Sequence, residues 1–362
     1  MFKLKTVVAA AGLMALPALS QAAAPTLSDV LDASSISVTG HATGSYAYQK
    51  VNPPAPAASS AVNSFGFDQA ELMVSKLPAS GFGAAVDVFA GQDVTGGSIN
   101  YGGLPGGAPT VAAFNKFGAG GEINLHQAYV QYATGALTVI GGKYATLAGS
   151  EVASDVLNSN ATRSILFDNQ PFTLTGVRAG YKFSDMITGY LGFANSAGGA
   201  TADFNDQKTT EIGVALAPLT GLTVNVTDYI GNEGAAGSGN KTNLLDLVVG
   251  YTAGDLNVGL NADRNTSHGP AAVDLTFTGV ALYANYQVMP SFRAGRRGEI
   301  TTTKDDVAAT KTKQDEVTLT GDYSGGKNFD LVTDLRYDAL KFEPSGSTAH
   351  AVTFLTKAIF KF

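Results

Sequence analysis

The chain has 362 residues, no cysteine, no tryptophan, 43 glycines and a formal net charge of −7. Zero cysteines exclude a disulfide scaffold, a thiolate nucleophile, a Cys-ligated zinc site and an iron–sulfur cluster. The acidic balance argues against a nucleic-acid partner, whose phosphates need clustered Lys and Arg.

Residues 1–22 read as a signal peptide. Lys3 and Lys5 give the positive start, Thr6–Leu16 the apolar stretch, and Ser20-Gln21-Ala22 the small-x-small cleavage site. The apolar run is shorter than the roughly 20 residues that span a bilayer. Cleavage removes two lysines, so the mature charge becomes −9. Residues 23–35 form a short periplasmic segment, in which Leu27–Ala33 is a candidate amphipathic turn. The barrel region is 36–362.

From residue 36 onward the chain alternates. Ile36, Val38, Gly40, Ala42, Gly44, Tyr46 and Tyr48 take one face, and Ser37, Thr39, His41, Thr43, Ser45, Ala47 and Gln49 take the other. The same period of two returns at 209–216, 316–323 and 331–338. Each such strand has one apolar and one wet face. Sixteen strands are predicted, near 36–50, 64–77, 82–93, 122–133, 137–146, 171–183, 187–195, 208–217, 222–232, 242–252, 256–264, 275–287, 291–301, 314–323, 329–340 and 349–362. Tight turns such as Pro78–Gly81, Thr134–Ala136 and Pro218–Gly221 join alternate pairs. Longer polar segments, at 51–63, 94–121, 147–170, 196–207, 233–241, 265–274, 302–313 and 341–348, join the others.

Sorting of connections by parity marks an outer-membrane barrel with short periplasmic turns and longer outside loops. The expected fold is therefore all-β: a transmembrane, antiparallel, up-and-down β-barrel of about 16 strands. A barrel this wide is not filled by its own side chains, so its lumen holds water. Without tryptophan, its Tyr and Phe must form the interfacial girdles.

Charges on wet faces point to the lumen. The expected pore-lining residues are Lys143, Arg178, Lys182, Arg293, Arg297, Arg336, Lys357, Asp87, Glu211 and Asp334. Further inward acids are Glu71, Asp246, Asp263, Glu316, Asp322 and Asp338, while Arg296 is out of phase and implies a bulge or a rim position. Loop 147–170 carries Glu151, Asp155 and Asp168 beside the apolar string Ile165-Leu166-Phe167. It is the candidate constriction, folded into the barrel after strand five, with a surface cap as the alternative. The glycine-rich loop 94–121 reads as a mobile or inter-subunit flap.

The histidines His41, His126, His268 and His350 show no metal-ligand spacing, and Gly142-Lys143 lacks a phosphate loop's glycines. No catalytic, cofactor or metal site is therefore read, and no cofactor is implied. The alternatives are a barrel-embedded enzyme of lipase or protease type and a sleeve for a periplasmic electron carrier.

Leu27-Ser28-Asp29-Val30-Leu31, then Ile36-Ser37-Val38-Thr39-Gly40 and Tyr46, resemble the start of the second putative β-barrel porin family of Gram-negative bacteria. So do Gly141-Gly142-Lys143, Arg163-Ser164-Ile165-Leu166-Phe167, Pro171-Phe172-Thr173, Thr175-Gly176-Val177-Arg178 and the final Phe362. Where that family usually has aromatic residues before Pro171, this chain has Asp168-Asn169-Gln170. The resemblance implies an outer-membrane barrel and a porin; together with the water-filled lumen and the charged loop, the function expected of it is passive diffusion of small hydrophilic solutes or ions through a charged constriction. Its partners would be outer-membrane lipid, the barrel assembly machinery during insertion and, as in general diffusion porins, two further copies in a homotrimer.

Overall fold

The structure is a computed structural model. It describes residues 31, 33–91, 122–197, 203, 205–233, 239–269 and 273–362. The leader, most of 27–33 and the flap 94–121 lie outside the described residues. The chain divides at Ile36. In the first unit a helical turn ends where Ser34 Oγ and the Ile36 amide both donate to the Leu31 carbonyl, at 2.9 and 3.1 Å.

The second unit is a closed antiparallel barrel in which each strand pairs with its sequence neighbours and the first pairs with the last. Its strands are β1 (Ser37–Asn52), β2 (Ser60–Lys76), β3 (Gly81–Gly91), β4 (Glu122–Thr134), β5 (Leu137–Ala145), β6 (Thr173–Ser184), β7 (Ile187–Ala194) and β8 (Thr209–Leu219). They continue as β9 (Leu222–Glu233), β10 (Asn240–Ala253), β11 (Leu256–Gly269), β12 (Val273–Met289), β13 (Phe292–Asp305), β14 (Thr310–Ser324), β15 (Phe329–Glu343) and β16 (Thr348–Lys361). All sixteen fall where the period of two puts them, within a few residues.

The differences sit at the loop ends. The segments 265–274 and 302–313 contain mostly strand and 341–348 is half strand: β11 runs on to Gly269, β12 begins at Val273, and the other two connections shrink to 306–309 and 344–347. Their apolar alternation fades because both faces are polar there. Residues such as Thr301, Thr302, Thr303, Thr310 and Thr312 still favour a pleated backbone, so the ladder continues.

The pleat sorts the side chains. On β1, His41, Thr43, Ser45, Ala47, Gln49 and Val51 are buried inside, while Val38 stands exposed on the outer face. On β15, Val332, Asp334, Arg336 and Asp338 point inward, and Leu331, Leu335 and Tyr337 outward. An apolar outer surface over a polar interior is the order that lipid outside and water inside require.

At the tight-turn rim the outer face carries a belt of aromatics, including Phe82 against Tyr132 and Tyr181 against Phe183, with ring centroids 4.9 and 5.0 Å apart. Tyr251, Tyr286, Tyr323 and Phe360 continue it. Arg296 faces outward near the β12–β13 turn with unbroken register to Ala284 and Leu319, so no bulge is involved. A guanidinium there reaches the rim by snorkelling. Bulges occur instead at Asp68 on β2, which places Asp68 and Gln69 both inward, and at His126 on β4.

The seam closes through β1 and β16, in register from His41 opposite Lys361 to Asn52 opposite His350. The C-terminal residue takes part: Phe362 N donates to the Gly40 carbonyl at 3.0 Å, and Gly40 N to the Phe362 carbonyl at 3.1 Å. A Cβ at Gly40 would lie 2.4 Å from the Glu71 carbonyl oxygen and 2.6 Å from the Phe362 ring. Gly40→Val is therefore expected to strain the seam by about 1–3 kcal/mol, the usual cost of overpacking. A lowered urea midpoint for the barrel in detergent checks this, and an unchanged midpoint would contradict it.

Candidate functional site

The connection 146–172 lies inside the barrel as a hairpin against the inner wall. Its neck is tied where Thr146 N donates to the Phe172 carbonyl at 3.1 Å. The outgoing arm runs past β9, β10 and β11. Leu147 N donates to Tyr229 Oη at 2.9 Å, Gly149 N to Asp246 at 3.2 Å and Ser150 N to Asn261 at 3.2 Å.

The tip crosses to β2 and β16. There Gln69 donates to the Ala153 carbonyl at 3.2 Å and accepts from Asp155 N at 3.0 Å, and Ser154 bonds Glu71. The return arm follows the wall back. Asn160 reaches Thr320 on β14, Thr162 N reaches Asp334 on β15 at 2.7 Å, and Ile165 N reaches Glu299 on β13 at 2.8 Å. Gln170 then spans Asp263 at 2.7 Å and Asn261 at 3.1 Å on β11.

The apolar string supplies the packing. Leu166 is buried with Phe277 and Ala281 of β12. It fits because Gly279 has no side chain: a Cβ there would stand 2.7 Å from Leu166 Cδ1. Ala161 packs with Ala47, Val332, Leu355 and Ile359 under the tip.

Ion pairs bind the hairpin more tightly. Arg297, wholly buried, pairs with Glu151 of the loop at 2.9 Å and with Glu299 and Glu316 of the wall at 2.9 and 3.2 Å. It also donates to the Thr162 and Arg163 carbonyls. Arg336 pairs with Asp338 at 2.8 Å and donates to the Arg163 carbonyl at 2.6 Å. Asp155 of the tip accepts from Lys357 at 2.7 Å and Arg163 at 3.0 Å. At the root, Arg178 grips Glu211 with two 2.6 Å bonds, and Tyr229 Oη donates to the same carboxylate at 2.6 Å.

This arrangement revises the sequence reading of the charged residues. Arg178, Arg297, Arg336, Lys357, Glu211 and Asp334 are inward, yet all are buried in contacts with the loop or with one another, and Asp87 is buried against His126 and Gln127 of β4. Glu151 and Asp155 lie on the loop's wall side, also buried, and Asp168 is half-buried in the turn Phe167–Asn169.

Lys143 is misplaced by the sequence reading. Arg178 is opposite Ile140, so even-numbered β5 residues face inward, and Lys143 shares the outer side with Val130 and Val177. Its ammonium donates to the Leu125 carbonyl at 2.6 Å. Lys182 is inward but ends β6, where it pairs with Asp185 at 2.7 Å, away from the loop. Arg293 pairs with Asp322 at 2.6 Å beside the β12–β13 turn.

Each histidine has a local partner. His41 meets Gln69 and Glu71, His126 meets Asp87, His268 meets Asp274 and His350 meets Tyr337. Sequence reasoning missed the neutral anchors Gln69, Thr162, Gln170 and Tyr229 and the loop's own Arg163. Only the polar, period-breaking pair Asp68-Gln69 signals one of them in advance.

The hairpin has a free face. Leu157 is 72% exposed and Val152 41% within the barrel, and Ser150 is exposed beside them. Across from it, inward residues of β4 to β7 such as Gln131, Thr138, Thr188 and Tyr190 are partly exposed.

A model of the family described as "Putative beta-barrel porin-2, OmpL-like" matches residues 35–362. No curated protein sequence matches the chain. Among solved structures, Pseudomonas putida OprB is similar with a TM-score of 0.60 at 12% identity, covering 92% of this chain and 96% of that one. An anion-selective porin from Comamonas acidovorans is similar at 0.59 and 13%, covering 90% and 99%. OmpT of Vibrio cholerae, in a trimer form, is similar at 0.56 and 12%, covering 90% and 99%.

Replacing Arg297 by Met leaves three buried carboxylates without their shared cation. Breaking a buried ion pair from one side costs about 3–5 kcal/mol. The expected result is a lower unfolding midpoint together with new protease cleavage within 147–170; a loop as resistant as in the unaltered protein would refute the anchoring role.

Proposed function

The chain belongs to the Putative beta-barrel porin-2, OmpL-like family, and from that premise we propose that it is a non-enzymatic outer-membrane porin for passive diffusion of small hydrophilic solutes or ions. The observation that carries this reading is the hairpin held flat to the wall by Arg297, Arg336 and Lys357 while Leu157 and Val152 stay exposed. A loop fixed in this way narrows a wide barrel to a passage of constant shape. Diffusion then needs neither cofactor nor covalent step. The constriction is lined by the loop's free face and by β4 to β7, and the anchoring ion pairs stand behind it. In the cell, residues 1–22 are removed on export, the barrel assembly machinery inserts the chain, and three copies associate in the membrane.

Absence of cysteine makes the passage easy to probe. Leu157→Cys should react with a water-soluble thiol reagent, and the adduct should lower the step conductance of the protein in a planar bilayer. Ala161→Cys, which replaces a residue only 3% exposed beneath the hairpin, should stay unmodified. No step current from the unaltered chain, or equal reaction at both sites, would end the proposal.

A further inference from the structure

The interior of the barrel is not charge-neutral. Among the described residues, eleven buried carboxylates meet five buried arginines and lysines. Around Arg297 and Arg336 stand Glu151, Glu299, Glu316 and Asp338 in ion pairs, with Asp334 bonded to Thr162 and Thr320 alongside. Arg163 and Lys357 share Asp155 and Asp68, and Arg178 holds Glu211. Asp87 faces His126.

Asp246 and Asp263 are the plainest excess. They lie directly opposite each other on β10 and β11 and hydrogen-bond each other through one shared proton, and their other donors, Gly149 N, Asn261 and Gln170, are neutral. The shared proton relieves their mutual repulsion and leaves the pair one negative charge, with no protein cation beside it among the described residues. The barrel wall is a low-dielectric sleeve, which focuses the field of fixed charges into the water path it encloses and raises the local counter-ion concentration.

We infer that the pore prefers cations, with the carboxylate surplus along the loop and its wall as the source of the preference. The inference rests on the porin reading and names the class of solute that such a pore favours. It is a property of this chain's own loop and wall. The similar fold of an anion-selective porin carries no information on it.

The test is the reversal potential of the purified mature protein in a planar bilayer under a potassium chloride gradient. The expected permeability ratio of potassium to chloride is about 3 or more near 0.1 M salt, and falls toward unity near 1 M, where the screening length shrinks to about 3 Å. Asp246→Asn combined with Asp263→Asn should lower the ratio, because both amides retain acceptor oxygens for the loop while the charge is gone. A ratio at or below unity for the unaltered channel overturns the preference while leaving the pore intact. A ratio unchanged by the double substitution overturns its assigned source. Absence of step currents removes the pore itself and the preference with it.

Discussion

A strand that crosses lipid has no water to satisfy its edge, so pairing β1 with β16 is the condition on which the remaining structure depends. Closure makes every strand central and gives the sheet one inner and one outer face. The period of two then becomes a choice of solvent rather than of core. Sixteen strands also enclose more space than inward side chains fill, and the chain answers with its own segment, 146–172. Seam, sorted faces and infolded hairpin are thus successive consequences of one hydrogen-bonding requirement.

Bringing a hairpin into the barrel creates a second requirement of the same kind. Its backbone amides leave bulk water and need acceptors. The wall supplies carboxylates: Glu299 for Ile165 and Leu166, Asp334 for Thr162, Asp246 for Gly149, while Glu151 within the loop serves Ser164. An ionised acceptor makes a stronger bond than a neutral one, which compensates a segment with little apolar surface to bury. Arginines 297 and 336 then offset part of that charge and reach the loop's carbonyls. The acidic excess inside the barrel follows from this demand for acceptors, and its effect on permeating ions is a by-product of how the loop is held.

Most of the barrel was legible in the sequence because alternation reports directly which solvent each side chain meets. The limits of legibility are physical too. Beyond the membrane both faces are wet, so β11, β13, β14 and β15 continue without a pattern to announce them. Lys143 was misassigned because a face is fixed by register with Ile140 and Arg178, and proximity in sequence to an inward strand does not supply it. The charged residues were found but given the wrong task. Period two places Arg297 and Lys357 inside; only the path of the hairpin decides that Glu151 and Asp155 cover them. A loop narrowing the lumen was the expectation; that its acids Glu151 and Asp155 would pair directly with Arg297 and Lys357 of the wall was not legible.

Low identity to the similar solved barrels fits this division of labour. The ladder is made of backbone groups, and the faces need only apolar outside and polar inside, so many sequences satisfy the fold. The loop–wall contacts are different in kind. Leu166 needs the vacancy at Gly279, Gln170 needs Asp263 and Asn261 at one register, and Arg297 needs Glu151 to arrive from across the lumen. Each is a pairing of particular side chains from distant strands. Selectivity, which depends on those side chains, therefore diverges while the barrel stays the same, and must be argued from this chain's own interior.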